Sequence, residues 1–476
     1  MTDHPRRLDL GITVMPEYIQ SEGTEAVLHR LVDMAGATSV TTSPYVAARV
    51  AEGTGHREPP SDGGIGKNRL LDRPLWGARE LWMTAAPSFR PDASLYDGLA
   101  YRPPAPDALT EAEGICVGAF LDAAQARGLE TWIQIQAAIP PCYRVQFGGP
   151  HPGDESLLPD GQPFPKRVDR NTSLAAPDLR AYLRAIVTDL ARAYPQADGF
   201  RFDWPEYPVY HFEALFFDFN PAVATFARSA GFDFEGIRTG VLAFLADLGA
   251  GHLRRARVAL DDLDSFRESL FAACPALAGM LALRRALVSD HARFLRQTVD
   301  EATKGRGRMF LQGFPPPLNE ATGFDLPTLA GVADQLGVKF YTMHWPLIEA
   351  DYLRALQTRT DFAPKAIAAA LARILRLAPP SVERDPATIR YPEPDEPHPA
   401  ATEDILAKMR AARAMVPAGT RICGITHSYG PLEDVMRRFD AVAAGADGAV
   451  QVNRYGYMTD AKFAAIGDRV RGSVPA

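Results

Sequence analysis

Asp198-Gly199-Phe200-Arg201-Phe202-Asp203-Trp204-Pro205-Glu206-Tyr207-Pro208 is the stretch whose reading decides the fold of this 476-residue chain. Side chains alternate faces along a strand, so Phe200 and Phe202 share one face and Arg201 and Asp203 the other. Two prolines then force the strand to stop or bend. A short apolar strand that ends in two carboxylates and two aromatic rings reads as a barrel strand delivering a site. The arginine beside Asp203 favours an anion, a state suited to a nucleophile or a charge stabiliser. Glu206 lies three residues on, about 10 Å of extended chain and on the opposite face, unless a turn at Pro205 brings the two carboxylates together. The plainer alternative is a structural Arg-Asp pair followed by a proline-rich loop.

The rest of the chain repeats the strand-helix theme. Leu8 to Tyr18 gives a first strand ending in Glu17, and Thr38 to Thr42 a second. Glu130 to Gln136 is a third, with Trp132, Gln134 and Gln136 on one face, and the 198–208 run is the fourth. The fifth is Arg308 to Gly313, which carries Gln312, and the sixth is Val338 to Pro346, ending in Tyr341, His344 and Trp345. The seventh is Arg421 to His427. The eighth is Asp447 to Asn453, with Tyr455 just beyond. Helical periodicity separates these runs. Eight alternating strands and helices imply a parallel sheet closed into a (β/α)8 TIM barrel, with 1–476 forming one catalytic domain.

Three stretches exceed ordinary connections. The span from about Gly53 to Pro106 lacks clear periodicity and reads as a functional loop or lid, with Trp76 and Trp82 either stacking on a ligand or pinning the loop. Residues 209–305 are mostly helical and form an insertion after the fourth strand that can wall the site. Pro379 to Ala400 reads as a surface excursion. The run from Gly63 to Asn68 lacks Walker spacing and is a loop.

The 198–208 run resembles the fourth-strand signature of barrel glycoside hydrolases. Gly199 to Asp203 is similar to the motif of the alpha-amylase clan, whose aspartate is the nucleophile. The whole run resembles that of the chitinase family, whose glutamate is the acid. Arg201 and Pro205 depart from the chitinase pattern, and the amylase residues of the fifth and seventh strands have no clear counterpart. The resemblance implies glycoside hydrolysis, with an oxocarbenium-like transition state flanked by two carboxyl groups. Asp203 takes the role of nucleophile or stabiliser. Glu206 ranks first as acid, before Glu320 on the Pro315-Pro316-Pro317 loop and Glu349. In a chitinase-like version the substrate's acetamido group attacks, with Asp203 and Tyr341 orienting it. Arg201, Trp204, Tyr207, Glu17, Gln134, Gln136, Gln312, Tyr341, His344, Trp345, His427, Asn453 and Tyr455 are the expected sugar contacts. Two alternatives stand beside this: a carbohydrate-binding barrel without catalysis, and a lyase or isomerase using His344 or His427 as base.

Composition bounds the partners. A formal charge of −7 without a basic tract argues against nucleic acid. No run is long enough to span a bilayer and none resembles a secretion signal, so a cytoplasmic enzyme acting on a small carbohydrate is expected. The four scattered cysteines do not suggest a disulfide framework or zinc site. No cofactor and no metal is expected, and self-association is left open.

Overall fold

The structure, a computed structural model, describes residues 8–61, 69–166, 168, 170–248, 263–377 and 384–472. Eleven strands follow in chain order: β1 (Asp9–Thr13), β2 (Ser39–Thr42), β3 (Tyr45–Val50), β4 (His56–Glu58), β5 (Leu81–Pro87), β6 (Glu130–Gln136), β7 (Gly199–Asp203), β8 (Arg308–Gly313), β9 (Gln335–Phe340), β10 (Ile422–His427) and β11 (Ala449–Asn453). Eight of them close a parallel barrel in the order β1-β11-β10-β9-β8-β7-β6-β2. The chain is therefore a (β/α)8 barrel, and each barrel strand named from the sequence is present. The sixth is displaced: β9 ends at Phe340, and Trp345 opens the helix Trp345–Arg359 with Pro346 in its first turn. A proline there fits a helix start as well as a strand end, which is why the boundary was misplaced.

The period-two pattern of β7 works as read. Gln134 pairs in register with Arg201 and Gln136 with Asp203, so these side chains enter the barrel together. The lower barrel is filled by Trp132, Phe310, Cys423 and Ile425. Glu130 closes the N-terminal end by pairing with Arg308 and with Arg421, the latter at 2.7 Å. Above the apolar layer, Arg201 is fully buried over the Phe310 ring. It donates to Gln312 Oε1 at 3.0 Å, Thr13 Oγ1 at 2.9 Å and Thr41 Oγ1 at 3.3 Å, so four strands share one cation. Burial pulls this guanidinium below the ordinary arginine range, and the hydrogen bonds offset part of its desolvation.

The stretch expected to be an irregular loop supplies two strands, β4 and β5, of a second sheet whose third strand, β3, precedes it. β3, β5 and β4 pair antiparallel, with Tyr45 opposite Pro87 and His56 opposite Met83. Neither Trp76 nor Trp82 lines the cleft described below; Trp76 packs against the core. Residues 63–68 lie outside the described residues, as do 378–383 of the expected surface excursion.

After β7, the described residues of 209–305 form the helices Pro221–Ser229, Phe234–Ala246, Leu263–Ala273 and Pro275–Thr303. The last packs against the helix Pro177–Ala193, which precedes β7. Residues 249–262 of this insertion lie outside the described residues.

One buried cation outside the barrel has a measurable consequence. Lys408, on the helix Thr402–Ala414, is 1% exposed and donates to Pro316 O at 3.0 Å and Leu375 O at 2.6 Å. Burial, reinforced by Arg376 and opposed by Asp404, pulls its ammonium down to about 7. The folded form therefore binds fewer protons than the unfolded chain between about pH 7 and the ordinary lysine value of 10.5, so stability rises with pH across that window. Urea unfolding at a series of pH values is expected to show this rise in the parent protein. Lys408→Met is expected to remove it.

Candidate active site

The C-terminal ends of the barrel strands open into a cleft of about 770 Å³. Its lining joins Gln134 and Gln136 of β6, Asp203 of β7 with Trp204 behind it, Tyr341 and His344 after β9, and Asn453 and Arg454 from the end of β11. The connection after β1 adds Met15, that after β6 adds Arg144 and Gln146, and Pro60 and Ser61 follow β4. Tyr210, from the start of the insertion, completes one wall. Amides, hydroxyls and ring faces around one carboxylate make a surface suited to a polyhydroxylated ring, since the amides are mostly buried and require partners.

Asp203 keeps 15% of its side chain accessible, and its Oδ1 accepts from the Trp204 N–H at 3.0 Å. Trp204 adopts φ 58°, a left-handed conformation that is costly for a bulky residue and turns the chain out of the strand. Lys339, facing inward from β9, sets its Nζ 3.6 Å from Asp203 and 2.9 Å from Glu206, under the rings of Trp204 and Phe314. One ammonium thus compensates two carboxylates. Tyr341 accepts from Asn453 Nδ2 at 2.9 Å. Burial, with the Asp203 charge added, pushes its phenol well above the usual range, so it serves as a hydroxyl and not as an anion. Tyr210 places its hydroxyl 3.1 Å from His344 Nδ1.

Behind the wall sits a buried ionic cluster. Arg144 meets Glu17 at 3.1 Å and Glu58 at 2.5 Å, and Arg454 meets the other oxygen of Glu58 at 2.5 Å. Tyr45 donates to Glu17 at 2.8 Å. Burial opposes the charge on Glu58, but the two guanidiniums outweigh it and hold the carboxyl below the ordinary range. The short second sheet is docked onto the barrel mouth by this cluster, because Glu58 is the last residue of β4.

The structure separates the four carboxylates put forward as catalytic. Asp203 lines the cleft. Glu206 is fully buried, with Oε2 accepting from Phe314 N at 3.2 Å, and lies outside the lining. The left-handed Trp204 turns the chain, and Tyr207 N then bonds Thr322 O at 3.2 Å, which ties the segment to the connection after β8. Burial raises the Glu206 carboxyl above its ordinary value, and Lys339 offsets only part of that rise. Glu320 sits on the surface, 47% accessible and paired with Arg267 at 2.6 Å. Glu349 is buried against Arg384. Among the described residues, Asp203 is the only carboxylate in the cleft lining.

Of the expected sugar contacts, Trp204, Gln134, Gln136, Tyr341, His344 and Asn453 line the cleft. The others do not. Arg201 and Gln312 lie outside the lining, with Arg201 donating to Gln312 Oε1, Thr13 and Thr41. Glu17 faces Arg144 and Tyr45. Tyr207 is buried and donates to Asp218 at 3.0 Å, and Tyr455 donates to Glu22 at 2.7 Å. Trp345 packs beside Lys408 and Phe340. His427 is 3% exposed and accepts from the Tyr429 N–H at 3.1 Å; burial and the neighbouring Arg69 hold its imidazole well below the usual range. A neutral ring sealed in this way lacks the access a catalytic base needs. Lys339, Arg144, Tyr210 and Arg454 were missed as site residues. Lys339 was legible, being two residues before Tyr341 on the same strand face, whereas Arg144 follows a proline-rich loop that has no periodicity. No group of three or more His, Cys, Asp or Glu side chains able to hold a metal occurs among the described residues.

No protein-family model matches the sequence, and no curated protein is similar to it at a significant level. Solved structures do align. The catalytic domain of a β-amylase from Paenibacillus polymyxa is 9% identical over 98% of this chain and 100% of its own, with a TM-score of 0.48. A β-glucosidase is 11% identical over 76% of this chain and 78% of its own, at 0.33. An exo-β-N-acetylglucosaminidase from Vibrio harveyi is 11% identical over 99% of this chain and 59% of its own, at 0.36. These neighbours are glycoside hydrolases, and at such identities and scores the likeness assigns no substrate and no residue role.

Proposed function

We propose that this protein is a glycosidase-type barrel enzyme acting on a small carbohydrate, with Asp203 as the group that meets the anomeric carbon. The observation that carries this reading is the placement of Asp203: a partly accessible carboxylate, counter-charged by Lys339, on the floor of a cleft walled by amides and aromatic rings. Its negative charge opposes the positive charge that develops as the glycosidic bond breaks. Gln134, Gln136 and Asn453 bind ring hydroxyls, and Trp204 offers a ring face. The proton needed by the leaving oxygen comes from Tyr210. Its hydroxyl lies 3.1 Å from His344 Nδ1, and the phenolate left behind takes a proton from the water that adds to the anomeric carbon, which restores the acid as the new C–OH bond replaces the glycosidic one. Neither Glu206 nor Glu320 has a part in this scheme.

The second reading, a barrel that binds sugar without cleaving it, is favoured by one specific fact: no second carboxylate lines the cleft among the described residues. Thermal-shift binding and hydrolysis measured on one panel of glycosides separate the two. The first reading expects both a stabilised melting transition and released reducing sugar. Stabilisation without release supports the second, and a panel with neither effect overturns both.

A further inference from the structure

The two arginines that line the cleft are held by the same carboxylate but differ in what they leave open. Arg144 is saturated: Nη1 reaches Glu17 at 3.1 Å and the Tyr45 hydroxyl at 3.3 Å, and Nη2 reaches Glu58 at 2.5 Å. Its Nε takes the Gln146 carboxamide oxygen at 2.9 Å in the amide orientation that satisfies both groups. Arg454 spends Nη2 on Glu58 at 2.5 Å, with Glu17 at 3.8 Å. Its Nε and Nη1 meet no acceptor among the described residues, although the residue is only 7% exposed. A guanidinium so nearly enclosed, with N–H groups open toward a cleft, is a donor set waiting for an acceptor from outside the chain.

Its place in the cleft narrows what that acceptor is. Arg454 directly follows Asn453, whose amide holds Tyr341, and Tyr341 feels the charges of both Asp203 and Arg454. The carboxylate, the phenol and the guanidinium thus line a single cleft. Glu17 and Glu58 anchor Arg454 and neutralise the cluster behind it, so its pose is fixed before a ligand arrives and little ordering cost remains on binding.

We infer that Arg454 is a specificity residue that reads an anionic substituent, so that the cleft takes acidic sugars of the uronic acid class in preference to their neutral counterparts. This rests on the sugar-binding reading above and adds to it a substrate class. A guanidinium bonded to a carboxylate forms an ion pair with both partners charged, whereas a hydroxymethyl group in the same place accepts from the same cation but brings no opposite charge and no second acceptor oxygen for a paired bond.

The test uses the full chain and matched pairs of ligands that differ only in the acidic group: glucuronic acid with glucose, and galacturonic acid with galactose. Isothermal titration is expected to show at least one uronic acid bound about ten- to hundredfold more tightly than its neutral partner. That preference is expected to fall with added salt and to disappear in Arg454→Gln. Neutral sugars bound as tightly as the acids overturn the inference and leave the sugar reading standing. Failure of every sugar to bind overturns both. Arg454→Gln also loses a partner of Glu58, so the comparison of paired ligands on the unaltered protein decides the matter even if that variant does not fold.

Discussion

Asp203→Asn is expected to lower glycoside turnover by about 10²–10³-fold or more while leaving the fold and the thermal midpoint nearly unchanged. The loss follows from removing the one negative charge that the cleft presents, among the described residues, to a developing oxocarbenium ion. The fold is spared for three local reasons. The carboxamide oxygen still accepts from the Trp204 N–H, where the parent bond is 3.0 Å. Lys339 keeps Glu206 at 2.9 Å as its counter-charge. The side chain is partly solvated, so no unpaired charge is sealed inside. Turnover within a few-fold of the parent would remove Asp203 from the mechanism.

Lys339→Met has the opposite profile, a loss of stability first. The ammonium is 5% exposed and is the cation nearest to the fully buried Glu206. Methionine replaces the stem but leaves that carboxylate, among the described residues, with only neutral donors. Breaking a buried pair from one side costs about 3–5 kcal/mol. The pH dependence identifies the cause. Burial holds the Glu206 carboxyl above its ordinary value of 4.5, so the folded protein binds this proton more tightly than the unfolded chain does. Its contribution to stability is complete below that ordinary value and is lost as pH rises through the folded value. Removing Lys339, which lowers the folded value, extends the loss to higher pH. Urea unfolding is therefore expected to show parent and variant converging near about pH 4 and separating progressively toward about pH 9. A gap that does not change with pH contradicts this account of Lys339.

How far the sequence discloses this molecule depends on how local each signal is. β7 is legible because its alternation is contained in five residues and the prolines mark its end. Asp203, Gln134 and Gln136 follow from the same period, since register carries an inward face from strand to strand. Glu206 misleads because its fate depends on the left-handed Trp204, and a bulky residue gives no sequence warning of that conformation. The β3-β5-β4 sheet is hidden for a different reason. Its strands pair Val50 with Trp82 across a long irregular stretch, and its attachment to the barrel is a contact between Glu58 and Arg454, nearly four hundred residues apart. Tyr207, Gln312 and Tyr455 are polar aromatics or amides near strand ends, where sequence alone does not distinguish a ligand contact from an internal hydrogen bond.

The most direct test is a crystal structure of Asp203→Asn protein soaked with a glycoside that binds the parent. The account predicts a sugar ring in the cleft beside Trp204, with its anomeric carbon against the residue 203 carboxamide and its ring hydroxyls on Gln134, Gln136 or Asn453. A sugar seated elsewhere on the barrel, or with its anomeric carbon turned away from residue 203, contradicts it.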